Sequence, residues 1–314
     1  MRMDDFFYHL IKESPIITIY SHHFPDGDSV GTAMGLKSVL LNAFPEKKIY
    51  CLGEDVRKWV HAFGPHDAAD DETVKESLGI VVDHSAPRRA GDKRVLTTKN
   101  LIQFDHHIPN VEHYECPCIC DPEAVSASQV VLAWCLRVGL AIPKDAIQAF
   151  LIAFLDDSVQ YTDTNRPADW DEQYKIMLDL GGEPEEARKL AYWKDPAESA
   201  YEQLLLKRMV EEDGICYAVM KDEDYMSLDY PYPAAGAKSS WLLKNSRARA
   251  ALLFTYCADE IRLSARSNDD YSVEALCARF GGGGHEQAAG MIFHSDNFDL
   301  EEILKEAKRR VKTR

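Results

Sequence analysis

No apolar run in this chain approaches the roughly 20 residues that a membrane-spanning helix needs, so no membrane partner is expected. The first residues, Met1-Arg2-Met3-Asp4-Asp5, are acidic and lack the apolar core of a secretory leader, which makes a cytoplasmic location the expectation. Basic charge is scarce: 36 Lys and Arg stand against 52 Asp and Glu, a formal net charge of −16. Proteins that track long nucleic acids gain affinity by neutralising phosphates and releasing counterions. The global field here opposes that, so no long duplex nucleic acid is expected, whereas a local positive pocket would suit a small anion. The eight cysteines are scattered along a long chain, and reduced thiols are expected. Cys116, Cys118 and Cys120 form a C-x-C-x-C run, which lacks the spacing and the fourth ligand of a zinc site. Internal repeats and low-complexity tracts are absent as well.

The 314 residues suffice for two domains, each able to bury a core. With 46% hydrophobic and 28% charged residues, the composition is that of an ordinary globular chain. Short β-branched or apolar runs at 16–20, 49–52, 80–82 and 101–104 read as strands, and a helical stretch covers about 29–44. Strands alternating with helices predict a parallel sheet covered on both faces. Helical patterns follow at 126–140 and, after Pro143, at 145–155, then over much of 169–209 with breaks at Gly181-Gly182 and Pro196. From 215 the pattern becomes mixed, with strands at 215–220, 250–257, 261–266 and 291–293, a helix at 272–280 and another at the C-terminus. The expected class is α/β: a parallel-sheet N-terminal domain with flanking helices over 1–190, a helical linker over 191–212, and a smaller mixed α/β domain over 213–314.

Ligands of open parallel sheets bind outside the carboxyl ends of the strands. His22, Asp26 and Asp28 follow the first strand, Asp83 closes another, Asp105-His106-His107 closes a third, and Asp157 ends a helix. Taken singly, such residues are surface groups or helix caps, and Asp26 or Asp28 would cap the helix beginning near Ser29. Several at equivalent strand ends, with histidines beside them, point instead to one metal site. Asp26, Asp28, Asp83 and Asp157 carry four negative charges, which two divalent cations would balance. Carboxylate and imidazole without thiolate suit manganese, and less selectively iron, cobalt or zinc. Two such ions make a nucleophile near neutral pH and hold a departing phosphate oxygen, which is the chemistry of phosphate-ester hydrolysis.

Downstream, Gly281 to Gly284 and His285 read either as a flexible connector or as a loop whose backbone N–H groups approach a phosphate. Arg262, Ser264 and Arg266 alternate with Ile261, Leu263 and Ala265, so strand geometry puts both arginines and the serine on one face. That face is solvated, or it clamps a phosphate, with Arg266 able to bind bidentately beside His285.

Together, H-x-x-P-D-x-D at His22 to Asp28, Asp83, D-H-H at 105–107, Asp157, and G-G-G-H-x-x-A-A-G at 282–290 resemble the DHH phosphoesterase superfamily with its DHH-associated C-terminal domain. The resemblance runs over nearly the whole chain and implies a dinuclear, usually manganese-dependent site. In it His22, Asp26 and Asp83 would hold one ion, and Asp28, Asp83, His106 and Asp157 the other. His107 would contact phosphate or the attacking water, and Asp105 would support the histidine pair. Ser264, Arg266, Gly282, Gly283, Gly284 and His285 would bind the substrate's far phosphate. The implied substrates are very short oligoribonucleotides, linear or cyclic dinucleotides, and 3′-phosphoadenosine 5′-phosphate. A substrate reaching from the metals to the second domain would be measured to a few nucleotides. A homodimer is compatible with this reading.

The chain departs from the family pattern in places. The fourth motif, commonly D-T-G, is here Asp157-Ser158-Val159, preceded by a rival acid, Asp156, and Tyr161 keeps a nearby aromatic. His84 stands where a smaller residue is usual, so a third imidazole is expected to border the site. Stacking of a base is expected from Tyr161, Tyr230 or Tyr232. The alternatives are a cyclic dinucleotide phosphodiesterase, a polyphosphate or pyrophosphate hydrolase, and a non-catalytic nucleotide-binding regulator.

Overall fold

The computed structural model describes residues 2–107, 113–158, 170–268, 271–294 and 298–312. The chain divides into two compact units, Met1–Trp193 and Lys194–Arg314.

The first unit begins with α1 (Met3–Glu13), β1 (Ile16–Tyr20), α2 (Gly27–Ala43) and β2 (Lys48–Leu52). Next come α3 (Arg57–Phe63), α4 (Asp71–Glu76), β3 (Leu78–Val82), β4 (Asn100–Asp105) and β5 (Cys118–Cys120). It closes with α5 (Ala127–Arg137), α6 (Lys144–Asp157), α7 (Trp170–Asp179) and α8 (Pro184–Ala191). Its five strands are ordered β2-β1-β3-β4-β5, and every pairing is parallel. β1 and β3 are apolar apart from Thr18, whose hydroxyl is paired with Ser77 Oγ at 2.7 Å, because both faces are covered. Ile17, Ile19, Ile80, Val82, Ile102 and Phe104 enter a large core with residues of α2, α5 and α6. Tyr20 and Val81 point the other way, into a smaller cluster with Val74, Val95 and Tyr114. The C-x-C-x-C run supplies the edge strand β5, and its cysteines are free thiols. A three-residue strand carries too little pattern to be read from sequence.

The second unit runs α9 (Pro196–Arg208), β6 (Val210–Glu212), β7 (Ile215–Met220), α10 (Asp222–Met226), α11 (Tyr232–Gly236) and α12 (Ser239–Lys244). It continues with β8 (Ala250–Cys257), β9 (Glu260–Ser267), α13 (Val273–Arg279), β10 (Gly283–His285), β11 (Ala288–His294) and α14 (Leu300–Lys312). The sheet order is β10-β11-β9-β8-β7-β6, antiparallel except for the parallel pair β7–β8. One face packs on α13 and α14, the other on α9 to α12. Where a linker was expected over 191–212, the structure has α9 and β6 built into this unit. Ala197, Tyr201 and Leu205, one helical turn apart, are buried against Ala218, Met220 and Leu253. Among the described residues no helix is long and apolar enough to cross a membrane.

Candidate metal centre

The succession of strands runs from β1 outward to β2 on one side and to β3 on the other, and the crevice at such a switch point is where open α/β sheets take ligands. Three neighbouring strands deliver side chains to this edge: His22 after β1, Asp83 after β3, and Asp105 with His106 and His107 at the end of β4. The positions are pinned locally. His22 forms an isolated bridge with Ala90, and its N–H donates to Ser29 Oγ at 3.0 Å. Asp83 has φ 62, the left-handed region that a non-glycine residue seldom occupies, and its N–H still donates to Phe104 O at 3.1 Å. Such local strain is common where a side chain must be aimed at a site.

Asp83 stands at the centre. Its Oδ2 lies 3.4 Å from His22 Nε2, and its Oδ1 lies 3.4 Å from His106 Nε2. His22 Nε2 is also 3.5 Å from Asp26 Oδ2. His106 Nε2 is 3.6 Å from both Asp28 Oδ2 and Asp157 Oδ2. The side chains form two sets with no residue in common, His22–Asp26–Asp83 and Asp28–His106–Asp157, and a third group, Asp83–His106–His107, overlaps both, with Asp83 facing both His22 and His106. These separations exceed the roughly 2.7–3.2 Å of good N–H···O hydrogen bonds. Two donors about 2.1 Å from one cation and roughly 110° apart would be about 3.4 Å from each other. The spacing thus fits a shared divalent ion in each set.

The imidazoles are oriented for the same purpose. His22 Nδ1 donates to His23 O at 3.0 Å, and His106 Nδ1 donates to Ala124 O at 3.2 Å. Each ring keeps its Nε2 lone pair for the site, the outer support that metal-ligating histidines usually have. Asp105 is buried and acts on the segment that follows it. Its Oδ1 accepts from the N–H groups of His106 and His107, at 2.8 and 3.0 Å, and from His107 Nδ1 at 2.8 Å. Gln103 Nε2 holds its Oδ2 at 2.8 Å. His107, more exposed than His106, is left with Nε2 to offer.

Capping and site-building are done by the same carboxylates. Asp26 Oδ1 caps α2 by accepting from Ser29 N at 3.0 Å, while its Oδ2 faces His22. Asp28 accepts from Ala127 N and Ser128 N, at 2.7 and 3.2 Å, and so caps α5 from another element. Asp156 and Asp157 are consecutive residues of α6 and diverge by about 100° around the helix axis. Asp156 Oδ2 accepts from Gly27 N at 2.9 Å and Asp156 is paired with Lys58, while Asp157 turns to His106. His84 is buried, and both its ring nitrogens are occupied, by Val82 O and Tyr114 Oη. The expected third imidazole does border the site, its ring edge-on to His22 with centroids 6.2 Å apart, but it has no nitrogen to offer, and burial pushes its pKa down to about 4.

The electrostatics show what a cation would relieve. Burial alone would lower His22 and His106, but the Asp83 contact on each ring, with Asp26 on His22 and Asp28 near His106, overrides it and raises both to about 10. Burial would raise Asp83, and the adjacent His106 and His22 rings instead hold it well below the carboxylate range. Burial lifts Asp157 to about 7 against the pull of His106, and burial with Asp83 nearby raises Asp28 well above its ordinary value. A divalent ion bound here would relieve the mutual repulsion of these carboxylates, and binding it requires both Nε2 atoms unprotonated.

In the second unit the expected alternation is present: Ile261, Leu263 and Ala265 enter the core, while Arg262 is exposed on the other face. The register aligns Arg266 with Ala288 and Ala288 with His285, so Arg266 and His285 share a face across three strands, roughly 10 Å apart. Ser264 is buried and its hydroxyl is engaged with Ser239 Oγ at 2.8 Å. The glycine run is not a free loop, because Gly283 to His285 form β10. Packing requires two of these glycines. A Cβ at Gly282 would lie 2.5 Å from Gly290 O, and one at Gly284, where φ is 147, would lie 2.5 Å from Ala288 O. A Cβ at Gly283 would meet nothing within 4 Å. Tyr230 is buried and stacks on Tyr201 at 5.0 Å, Tyr232 packs against Tyr225 at 5.9 Å, and Tyr161 lies outside the described residues.

Comparison with known proteins adds a lineage to this geometry. Residues 16–154 match the DHH family, N-terminal domain, and residues 228–313 match the DHHA1 domain. The chain is 26% identical over 306 residues to a probable bifunctional oligoribonuclease and PAP phosphatase NrnA of Streptococcus mutans, covering 94% of this chain and 96% of that one. It is also 26% identical over 322 residues to a cyclic-di-AMP phosphodiesterase GdpP of Geobacillus thermodenitrificans, 95% of this chain but 48% of that protein. Among solved structures, an exopolyphosphatase-related protein from Bacteroides fragilis superposes with a TM-score of 0.77 at 21% identity, covering 99% of this chain and 95% of that one.

Proposed function

Because this chain belongs to the DHH superfamily and carries a C-terminal DHHA1 domain, we propose that it is a metal-dependent hydrolase of phosphoesters in small nucleotides. Its substrates on this reading are short oligoribonucleotides and 3′-phosphoadenosine 5′-phosphate. The names of its relatives, spanning nearly its whole length, support the substrate class. The observation that carries the chemistry is Asp83, whose two oxygens face two imidazoles that each keep a free nitrogen.

On this reading His22, Asp26 and Asp83 hold one divalent ion, and Asp28, Asp83, His106 and Asp157 the other, with manganese favoured by the donor set. Bound there, the ions supply a water acidic enough to attack near neutral pH and positive charge for the departing oxygen. The hydrogen bond from its Nδ1 to Asp105 raises the pKa of His107 and fixes its ring, so on this reading its Nε2 faces a non-bridging phosphate oxygen. The Asp105 carboxylate does not touch substrate; it fixes both histidines through their backbone N–H groups. Arg266, His285 and the open backbone at Gly283 take a second phosphate, and Ser264 supports that face through Ser239.

The test is hydrolysis of a ladder of RNA lengths with Mn²⁺ by purified protein. Rates should be highest on dinucleotides and fall steeply with length, and comparable rates on dimers and 20-mers would overturn the small-substrate reading. Faster turnover of a cyclic dinucleotide than of its linear product would favour the second activity found among the relatives.

A further inference from the structure

Between His22 and Asp26 the backbone adopts a conformation unusual for its residue types. Phe24 has φ 51, in the left-handed region that suits glycine and is unusual for an aromatic residue. It also precedes Pro25, a position normally extended. Burial does not offset this strain, because the side chain is 55% exposed. Glu54 holds the turn: its Oε2 accepts from Phe24 N at 3.2 Å and its Oε1 meets His23 Nδ1 at 2.5 Å. The His23 and Phe24 rings lie against each other, centroids 3.8 Å apart and planes tilted by 46°. An isolated exposed apolar side chain needs no explanation, but one held out by a strained backbone and a dedicated carboxylate does.

We propose that Phe24, backed by His23, is the platform on which the nucleobase next to the scissile phosphate stacks. The inference rests on the nucleotide reading given above. Phe24 lies two residues from His22 and two from Asp26, a backbone reach of at most ~7 Å either way. That is about the span from a nucleotide's phosphate to its base. Of the tyrosines considered for stacking, Tyr230 is committed to the core and Tyr232 to Tyr225. Stacking on an aromatic ring accepts any base, so the platform gives affinity for nucleotides over base-free esters without selecting a sequence.

The experiment compares the parent, Phe24→Gly and Phe24→Trp on a 5′-phosphorylated diadenosine dinucleotide and on the same backbone lacking both bases, with Mn²⁺ present. Losing one base–aromatic stack corresponds to roughly 5- to 150-fold in affinity. Phe24→Gly should therefore raise KM for the dinucleotide about tenfold or more while kcat changes little, and Phe24→Trp should restore KM. The melting temperature of Phe24→Gly should not fall, because glycine accepts this φ. On the base-free backbone the parent should already show the high KM, and the substitution should add little. An unchanged KM in Phe24→Gly, or an equal loss on both substrates, would overturn the platform while leaving the hydrolase reading intact. A parent that hydrolyses phosphoesters but no nucleotide would remove both.

Discussion

At the scale of single residues, the adjacent acids Asp156 and Asp157 separate structural work from site chemistry. Asp156→Ala leaves the Gly27 N–H without its acceptor, so stability should fall by about 0.5–2 kcal/mol, as for a lost helix cap, while most turnover survives. Asp157→Ala removes a group facing His106, so turnover should drop at least ~100-fold, about 2.7 kcal/mol in the barrier. Denaturant melts and kcat on a dinucleotide check both, and a mutant pair with the effects exchanged would reverse the assignment. Asp28→Ala and His106→Ala should abolish turnover, whereas Arg266→Ala should raise KM with kcat largely retained. The candidate ligands were legible because carboxylates and imidazoles at strand ends are chemically conspicuous. What supports them was not. The Asp156 partner is 129 positions away in sequence, and Gln103, which holds Asp105, looks like any polar residue in a strand. His84 was legible as a neighbour of the site, but not that Val82 O and Tyr114 Oη occupy its two nitrogens.

At the scale of elements, the start of α2 carries much of the site, since Asp26 caps it and Asp28 lies in its first turn. Gly27 allows this packing: a Cβ there would lie 2.6 Å from Trp59 Cη2 and 2.7 Å from Asp156 Oδ2. Gly27→Ala should cost roughly 1–3 kcal/mol through overpacking. By shifting Asp26 and Asp28 it should also lower kcat more than a remote substitution of equal destabilisation. Urea unfolding with parallel turnover measurements tests this, and a stable variant with parental kcat would contradict it. The parallel strands β1, β3 and β4 were readable because a strand buried on both faces is apolar without alternation. β10 was not, because Gly-Gly-His has no strand propensity and is held by its register with β11. α9 was recognisable as a helix, but its stripe of Ala197, Tyr201 and Leu205 was needed to place it in the second unit.

For the molecule as a whole, two units with separate cores imply that a metal bound at the candidate ligands would stabilise the first unit directly, because those groups lie wholly within 22–157. A ligand at a hundredfold excess over its Kd adds about 2.7 kcal/mol to the state that binds it. Mn²⁺ should therefore raise the melting transition of that unit by several degrees, chelation should reverse the rise, and Asp83→Asn should lose most of it. Differential scanning calorimetry with and without chelator reads this out. An equal shift in the parent and in Asp83→Asn would place the binding elsewhere. The −16 net charge speaks against long polyanions and leaves attraction of a small anion to local positive groups.

The most direct measurement is a crystal structure of the protein with Mn²⁺, with ions located by anomalous scattering. The account predicts two peaks about 3.5–4 Å apart, bridged by Asp83, one beside His22 and Asp26 and the other beside Asp28, His106 and Asp157. A single ion, or ions bound away from Asp83, would contradict it.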